Sequence, residues 1–364
     1  MRRIGHITTD YKPILGGQET YIANLFSILK DAGYEQQVYQ HYLGEKGDEL
    51  RFVPKIVRTN KKVWPNVWSY NILVNLYANE LRKMDRLIVH FPFHYPAVMW
   101  HKGTIVLSHG VEWRVPPQSV QHKLRARLAA FAYKNAHSFV ANDTDYFRQM
   151  GLEIKPGVGF FSEVAPRRWF IPNCIDINTF KPAEPYPDLS RLNPVLLPRN
   201  INTQRGILLA IESFAIFMKK HPETNLVVVG DFQDFEYKRM VFKRINDLDL
   251  TGKAYFMGSV KWDNMPRIYS SGLLTLIPSL YSEGTSLSAL ESMSCGTPVV
   301  STSIGGLADL PAVKAPHPSP EAFAESMSLA FQDRVKLANV QMTKVKATFN
   351  LENWRNAWLK ALGN

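Results

Sequence analysis

Short apolar runs alternate with longer amphipathic segments along most of this chain, and the rhythm is played twice. In the first half the runs are Ile4–Thr8, Leu87–Phe91, Thr104–Ser108, Ser138–Ala141 and Phe170–Ile171. In the second half they are Val195–Leu197, Leu226–Val229, Tyr255–Met257, Leu273–Ile277 and Pro298–Ser301. Each is β-branched or aromatic and bounded by Gly, Pro or Asn. Thr20–Ala32, Gly206–Lys220 and Asp263–Ser271 have helical spacing and lie between them. Strands alternating with helices read as βαβ units around a parallel sheet. Between the halves, Pro172–Pro194 holds Pro172, Pro182, Pro185, Pro187 and Pro194, which resist helix and central strand alike. The expectation is an α/β chain of two Rossmann-like, doubly wound domains facing across a cleft. The seam is placed at 181/182.

The length of 364 residues suits two domains. Two cysteines, Cys174 and Cys295, exclude a disulfide framework and a four-cysteine zinc site. No apolar window is long enough to span a bilayer, and Met1–Asp10 lacks the apolar core of a signal peptide. A cytoplasmic protein, or one held to the inner face of a membrane only at its surface, is expected. The formal net charge is +11. Residues 1–182 carry 24 basic and 15 acidic residues, whereas 183–364 carry 19 and 17. The basic field therefore belongs to the first half, and it would attract phosphates, anionic lipid or nucleic acid.

The densest functional signal runs from Tyr281 to Val300. A strand ends at Pro278, a Gly/Ser/Thr-rich loop follows, and then a short helix closes at Gly296. Small residues at Gly284, Thr285 and Ser286, ahead of Leu287, let backbone N–H groups approach a ligand, and a helix N-terminus welcomes phosphate. Glu283 precedes that terminus and Glu291 lies eight positions later. Eight helical steps rotate by about 80° net, so both carboxylates can face one cleft and accept from vicinal hydroxyls. On spacing alone, Glu283 serves equally well as a dipole-complementing residue and Glu291 as a surface one.

Three further motifs follow strands. Arg199 and Arg205 bracket the polar loop Arg199–Gly206 and can clamp a diphosphate, or be two solvated arginines. Gly16 and Gly17 precede a helix and allow close approach of an anion, or make a plain turn. The fingerprint G-x-G-x-x-G of dinucleotide enzymes is absent. His109 stands at the carboxyl end of Thr104–Ser108, where α/β sheets place functional side chains, although lone histidines are often structural. No metal-ligand spacing stands out.

Together these segments resemble the retaining glycosyltransferases of family 4, which have the two-domain GT-B fold. The likeness also takes in Glu19, Gly110, Ile171–Asp176, Val227–Asp231 and Phe256–Val260, and spans nearly the whole chain. It implies a nucleotide-diphosphate sugar as donor, UDP- or GDP-linked, a hexose transferred with retention, and no metal or other cofactor. It implies that Glu291 binds the donor ribose and that Glu283 touches the transferred sugar. Arg199 and Arg205 would hold the diphosphate, helped by Gly17 and the Thr285–Leu287 backbone, with Val260 near the base and His109 facing the sugar. Glu283, His109, Arg199 and Arg205 are thus the catalytic candidates. The domains implied are 1–181 for acceptor, 182–345 for donor, and a helix in 346–364 that returns to the first domain. Four positions depart from the family pattern: Arg205 stands for Lys, Cys174 for Gly, Phe232 for Gly and Pro198 for Gly. The last two bear on loop shape near the phosphates.

The acceptor side is the basic half. Lys123, Arg127 and Lys134 share a face of a helix, and Lys61, Lys62, Trp64 and Trp68 mix cations with aromatics. That mixture suits an anionic membrane interface, or is an ordinary domain helix. The partners expected are a nucleotide sugar, a glycan or lipid-linked acceptor as in bacterial surface polysaccharide or glycolipid synthesis, an anionic membrane surface, and no nucleic acid. A GT-B epimerase or sugar phosphorylase, a non-catalytic nucleotide-sugar binder and a nucleic-acid-binding protein are the competing readings.

Overall fold

A computed structural model describes residues 2–14, 16–55, 64–114, 116, 120–154 and 159–363. Two compact units divide it: Met1–Pro172 with Trp354–Asn364, and Asn173–Asn353.

Among the described residues, the first unit holds an eight-stranded sheet. Its strands are β1 (Arg3–Ile7), β2 (Glu35–Gln40), β3 (Leu50–Phe52), β4 (Arg86–Val89), β5 (Thr104–Ser108), β6 (Ser138–Ala141), β7 (Ser162–Ala165) and β8 (Arg168–Phe170), in the order β3-β2-β1-β4-β5-β6-β8-β7. All pairs are parallel except β7 with β8. β5 and β6 are buried at every position, as strands covered on both faces must be. β2, β3 and β7 are strands of this sheet that apolar runs do not announce, and β2 is the longest of them, reading Glu-Gln-Gln-Val-Tyr-Gln. The amides of Gln36 and Gln40 are spent locally. Gln36 bonds His6 and the Phe26 carbonyl, and Gln40 bonds both backbone groups of Lys12. Buried polar groups satisfied in this way cost little, so a polar strand can sit inside a sheet.

The second unit's sheet has six described strands: β9 (Pro194–Leu197), β10 (Asn225–Val228), β11 (Ala254–Phe256), β12 (Leu274–Ile277), β13 (Val299–Ser301) and β14 (Val313–Lys314). They are all parallel, ordered β11-β10-β9-β12-β13-β14. The order reverses between β9 and β12, and such a switch point is where doubly wound sheets take ligands. Phe214, Phe217, Val241, Phe323 and Met327, from helices Ile207–Met218, Phe235–Asp247 and Pro320–Gln332, pack with Val195, Leu226 and Leu274 of the sheet.

The seam lies at Pro172, ahead of the expected 181/182. Residues 173–181 belong to the second unit because they are tied into it. Ile175 bridges Asn350, Ser294 donates to the Phe180 carbonyl, and the Phe180 ring packs edge-on to Trp262 and Tyr269. At the other end, helix Arg334–Thr348 stops before helix Leu351–Ala361, whose residues from Trp354 onward join the first unit. There Trp358 donates its indole N–H to the Tyr21 hydroxyl at 3.0 Å, and Trp354 meets the Tyr21 ring edge-on at 4.9 Å.

Candidate active site

In the second unit, the carboxyl ends of β9 and β12 bring Arg199, Arg205 and Glu283 together. Arg199 is buried and donates to Glu283 Oε2 at 2.5 Å, to Ser279 Oγ at 3.1 Å and to Ser286 Oγ at 3.1 Å. Arg205, half-exposed, donates to the same Oε2 at 2.5 Å, and Ser279 Oγ joins at 2.6 Å. Burial alone would push the Glu283 carboxyl up. The two guanidiniums, with the Arg199 and Ser279 hydrogen bonds, overcome this and bring it down to about 2. One carboxylate against two guanidiniums leaves the cluster a net positive charge. All three hydrogen bonds fall on Oε2, so Oε1 takes none of them.

The helix Leu287–Ser294 starts beside this cluster. Its N-cap Ser286 makes no side-chain cap because its hydroxyl accepts from Arg199. The first N–H groups of a helix have no partner within it, so this terminus adds partial positive charge next to the arginines. Two glycines make the approach possible. Gly206 has φ of +68°, and a Cβ there would lie 1.8 Å from the Pro278 carbonyl oxygen, so the Arg205 loop sits directly on the end of β12. Gly305 has φ of +55°, and a Cβ would fall 2.0 Å from the Glu283 carbonyl oxygen. The Gly305–Gly306 turn therefore supports the loop from beneath, with Gly306 N–H donating to that carbonyl at 2.8 Å. Sequence reasoning passed over Ser279 and this glycine pair; adjacent glycines after a strand were the available signal.

Glu291 stands apart from the arginines. It is half-buried, and the Tyr269 hydroxyl donates to its Oε2 at 2.8 Å. Burial pushes its carboxyl up to about 7, against the smaller downward pull of Tyr269. Val260 follows β11, where Ser259 N–H donates to Asp231 at 3.1 Å and its hydroxyl to the other oxygen, pinning the loop after β11 to the loop after β10. Of the departures from the family pattern, Phe232 stacks on Phe256 at 5.5 Å with Lys238 over its ring, which anchors its loop in an aromatic cluster. Cys174 is buried.

His109, Gly16 and Gly17 lie in the first unit. Gly16 is extended and caps helix Gly17–Asp31, its carbonyl accepting from Thr20. His109 follows β5 and meets the Tyr21 ring edge-on at 5.0 Å. Burial pushes its imidazole down to about 4, so it is neutral near pH 7. A narrow apolar pocket beside it is lined by Phe91, Phe93, His109, Trp113 and Arg125, with the Arg125 guanidinium 5.6 Å from the Phe93 ring centre. Arg125 lies on helix Val120–Asn135, on which Lys123, Arg127 and Lys134 are exposed. Trp68 is exposed, the Trp64 side chain is not described, and Lys61 and Lys62 lie outside the described residues. Among the described residues no group of three or more His, Cys, Asp and Glu could hold a metal ion, and no helix is long and apolar enough to cross a membrane.

Residues 191–346 match the family of Glycosyl transferases group 1. Mannosylfructose-phosphate synthase of Agrobacterium fabrum is 33% identical over 31% of this chain and 26% of its own length, so the chain spans about a quarter of that relative. A D-inositol 3-phosphate glycosyltransferase of Acidothermus cellulolyticus is 29% identical, covering 84% of this chain and 76% of its own. Among solved structures, sucrose-phosphate synthase from Thermosynechococcus elongatus superposes with a TM-score of 0.80 at 17% identity, over 99% of this chain and 98% of that one. Anabaena HepE in complex with UDP-glucose does so with 0.75 at 17% identity, over 100% and 99%. The fold is GT-B, two Rossmann-like α/β domains. The family match covers the second half of the chain, and the solved structures share its fold over the whole length.

Proposed function

We propose that this protein transfers a hexose from a UDP-sugar to a hydroxyl of a glycan or lipid-linked acceptor, with retention at the anomeric carbon. The observation that carries the reading is the net-positive Arg199–Arg205–Glu283 cluster beside the Leu287 helix terminus. A sugar leaving a diphosphate develops negative charge on the phosphate and oxocarbenium-like charge on the ring. Preorganised guanidiniums and N–H groups stabilise the first without reorganising. Arg205, open to solvent on one side, is the group to meet the diphosphate, and buried Arg199 holds Glu283 in place. Glu283 Oε1 then accepts from hydroxyls of the transferred sugar, and Glu291 from those of the ribose. Gly16 and Gly17 offer backbone N–H groups to the donor, Val260 borders the base, and no metal or other cofactor takes part. UDP is favoured over GDP because HepE, whose fold this chain shares, is seen with UDP-glucose.

Glu283 is a poor nucleophile here, since two guanidiniums hold its charge. We therefore assign same-face attack by the acceptor hydroxyl, its proton passing to the departing donor phosphate. Neutral His109 donates a hydrogen bond to the sugar. Trapping a covalent glycosyl-enzyme would overturn this mechanism.

The test is a thermal-shift panel of UDP, GDP and ADP on wild type and Glu291→Ala. A ligand that binds only the folded state at about 100 times its Kd adds about 2.7 kcal/mol. UDP should raise the wild-type Tm, and the variant should lose most of that rise. No shift with any nucleotide would sink the donor assignment.

A further inference from the structure

One outward face of the first unit is apolar where a surface helix is ordinarily polar. Helix Trp64–Leu73 continues as the single-turn helix Val74–Tyr77. Its inner face is spoken for: Tyr70 donates to the Tyr39 carbonyl, Asn71 to the Phe93 carbonyl, and Val74 is buried. Its outer positions fall every fourth residue and read Trp68, Ile72 and Leu76, exposed by 44%, 70% and 69%. Helical periodicity places polar residues on such a face in a protein that meets only water. Trp100 extends the patch. Its indole N–H is shared between Ala97 O and Asn75 Oδ1, which fixes the ring beside the Leu76 turn, and its neighbour Met99 is also exposed.

One cation lies on the patch, and two more are close to it in the chain. The Arg82 guanidinium lies 5.3 Å from the centre of the Trp100 ring, and Lys83 and Lys102 are exposed nearby in the chain. Glu80, on the same short segment, is drawn to Arg51 at 3.3 Å. We propose that this face docks on an anionic phospholipid surface, with Ile72, Leu76, Met99 and Trp100 entering the headgroup boundary and Arg82 meeting the phosphates. Apolar area bounded by cations and indoles is the composition of an interfacial element. A second copy of the chain is the weaker fit, because a two-fold contact through this face would set its cations against their own equivalents. The inference does not rest on the donor reading.

The test uses the full chain and vesicles of phosphatidylcholine with or without phosphatidylglycerol. Wild type should sediment with the anionic vesicles and release as salt is raised. The double variant Ile72→Ser, Leu76→Ser should bind at least ~10-fold more weakly, because both apolar anchors are lost. Its Tm should match wild type, since both positions are exposed, and its UDP thermal shift should be unchanged. Three results would overturn the proposal: no sedimentation of wild type with anionic vesicles, equal sedimentation of the double variant, or a wild-type dimer that the variant turns into a monomer.

Discussion

The carboxyl ends of the two sheets offer opposite chemistry. In the second unit they present fixed charge, with Arg199 and Arg205 converging on Glu283 Oε2. In the first unit they present imidazoles that burial keeps neutral: His6 and His109 are pushed down to about 4, and His90 well below its ordinary range. The tautomers follow from the bonding. Gln36 gives its amide N–H to Phe26 O, so its oxygen accepts from His6 Nε2–H at 3.0 Å. His6 Nδ1 then accepts from His90 Nε2–H at 3.1 Å, leaving His90 Nδ1 bare and buried. Fixed charge suits a ligand that is always an anion. Neutral donors and acceptors suit hydroxyls, which a buried cation would bind no better and would cost more to bury.

The largest expected effect splits the charged end. Arg199→Met should destabilise the fold by about 3 kcal/mol, because it leaves buried Glu283 short of one counter-charge; denaturant unfolding reads this. Arg205→Met should cost at most about 1 kcal/mol, since Arg205 is half-exposed and screened, yet lower kcat by about 100- to 1,000-fold. The pH sign is set by the depressed carboxyl. Glu283 contributes stability that is present above pH 4.5 and lost as pH falls through about 2. Losing Arg199 should move that loss to higher pH. Equal effects of the two substitutions on stability would erase the distinction between holding and binding.

Glu291 carries the next effect, and its sign is reversed. Its carboxyl is raised to about 7, so ionising it costs stability as pH rises from 4.5, in full above about 7. Glu291→Gln should therefore match wild type below pH 4.5 and exceed it at pH 8, by about 3 kcal/mol at most. The same substitution should weaken UDP binding. If the ribose is held by the ionised carboxylate, wild-type affinity falls about 10-fold per pH unit below 7 and the variant's stays flat. Calorimetric titration of UDP at pH 6 and pH 8 measures both.

The parallel strands were legible wherever their apolar runs were continuous: Thr104–Ser108 and Ser138–Ala141 read off the sequence with the ends they have in the structure. β2 was not, because its burial is underwritten by glutamine hydrogen bonds that no periodicity shows. Glu283 and the two arginines were legible as residues at strand ends. That the arginines pair with Glu283 depends on contacts spanning 84 and 78 residues of chain, which spacing does not encode. The Trp68–Ile72–Leu76 stripe shows a further limit. A period of four reports one apolar face of a helix but not which way that face is turned.

The smallest effect tests the neutral end. His109→Phe keeps a ring against Tyr21 and removes the nitrogens, so the fold should hold. What is lost is one hydrogen bond between neutral groups, worth about 1 kcal/mol, or about 5- to 10-fold in kcat/KM. Because the imidazole is already neutral above about pH 5, the wild-type rate should show no inflection from His109 between about pH 5.5 and 8, and the substitution should lower the profile without changing its shape. A profile that loses an inflection near neutrality in this variant would mean that His109 titrates during turnover. The first unit's strand ends would then carry a proton rather than a dipole, and the contrast between the two sheets would fail at that residue.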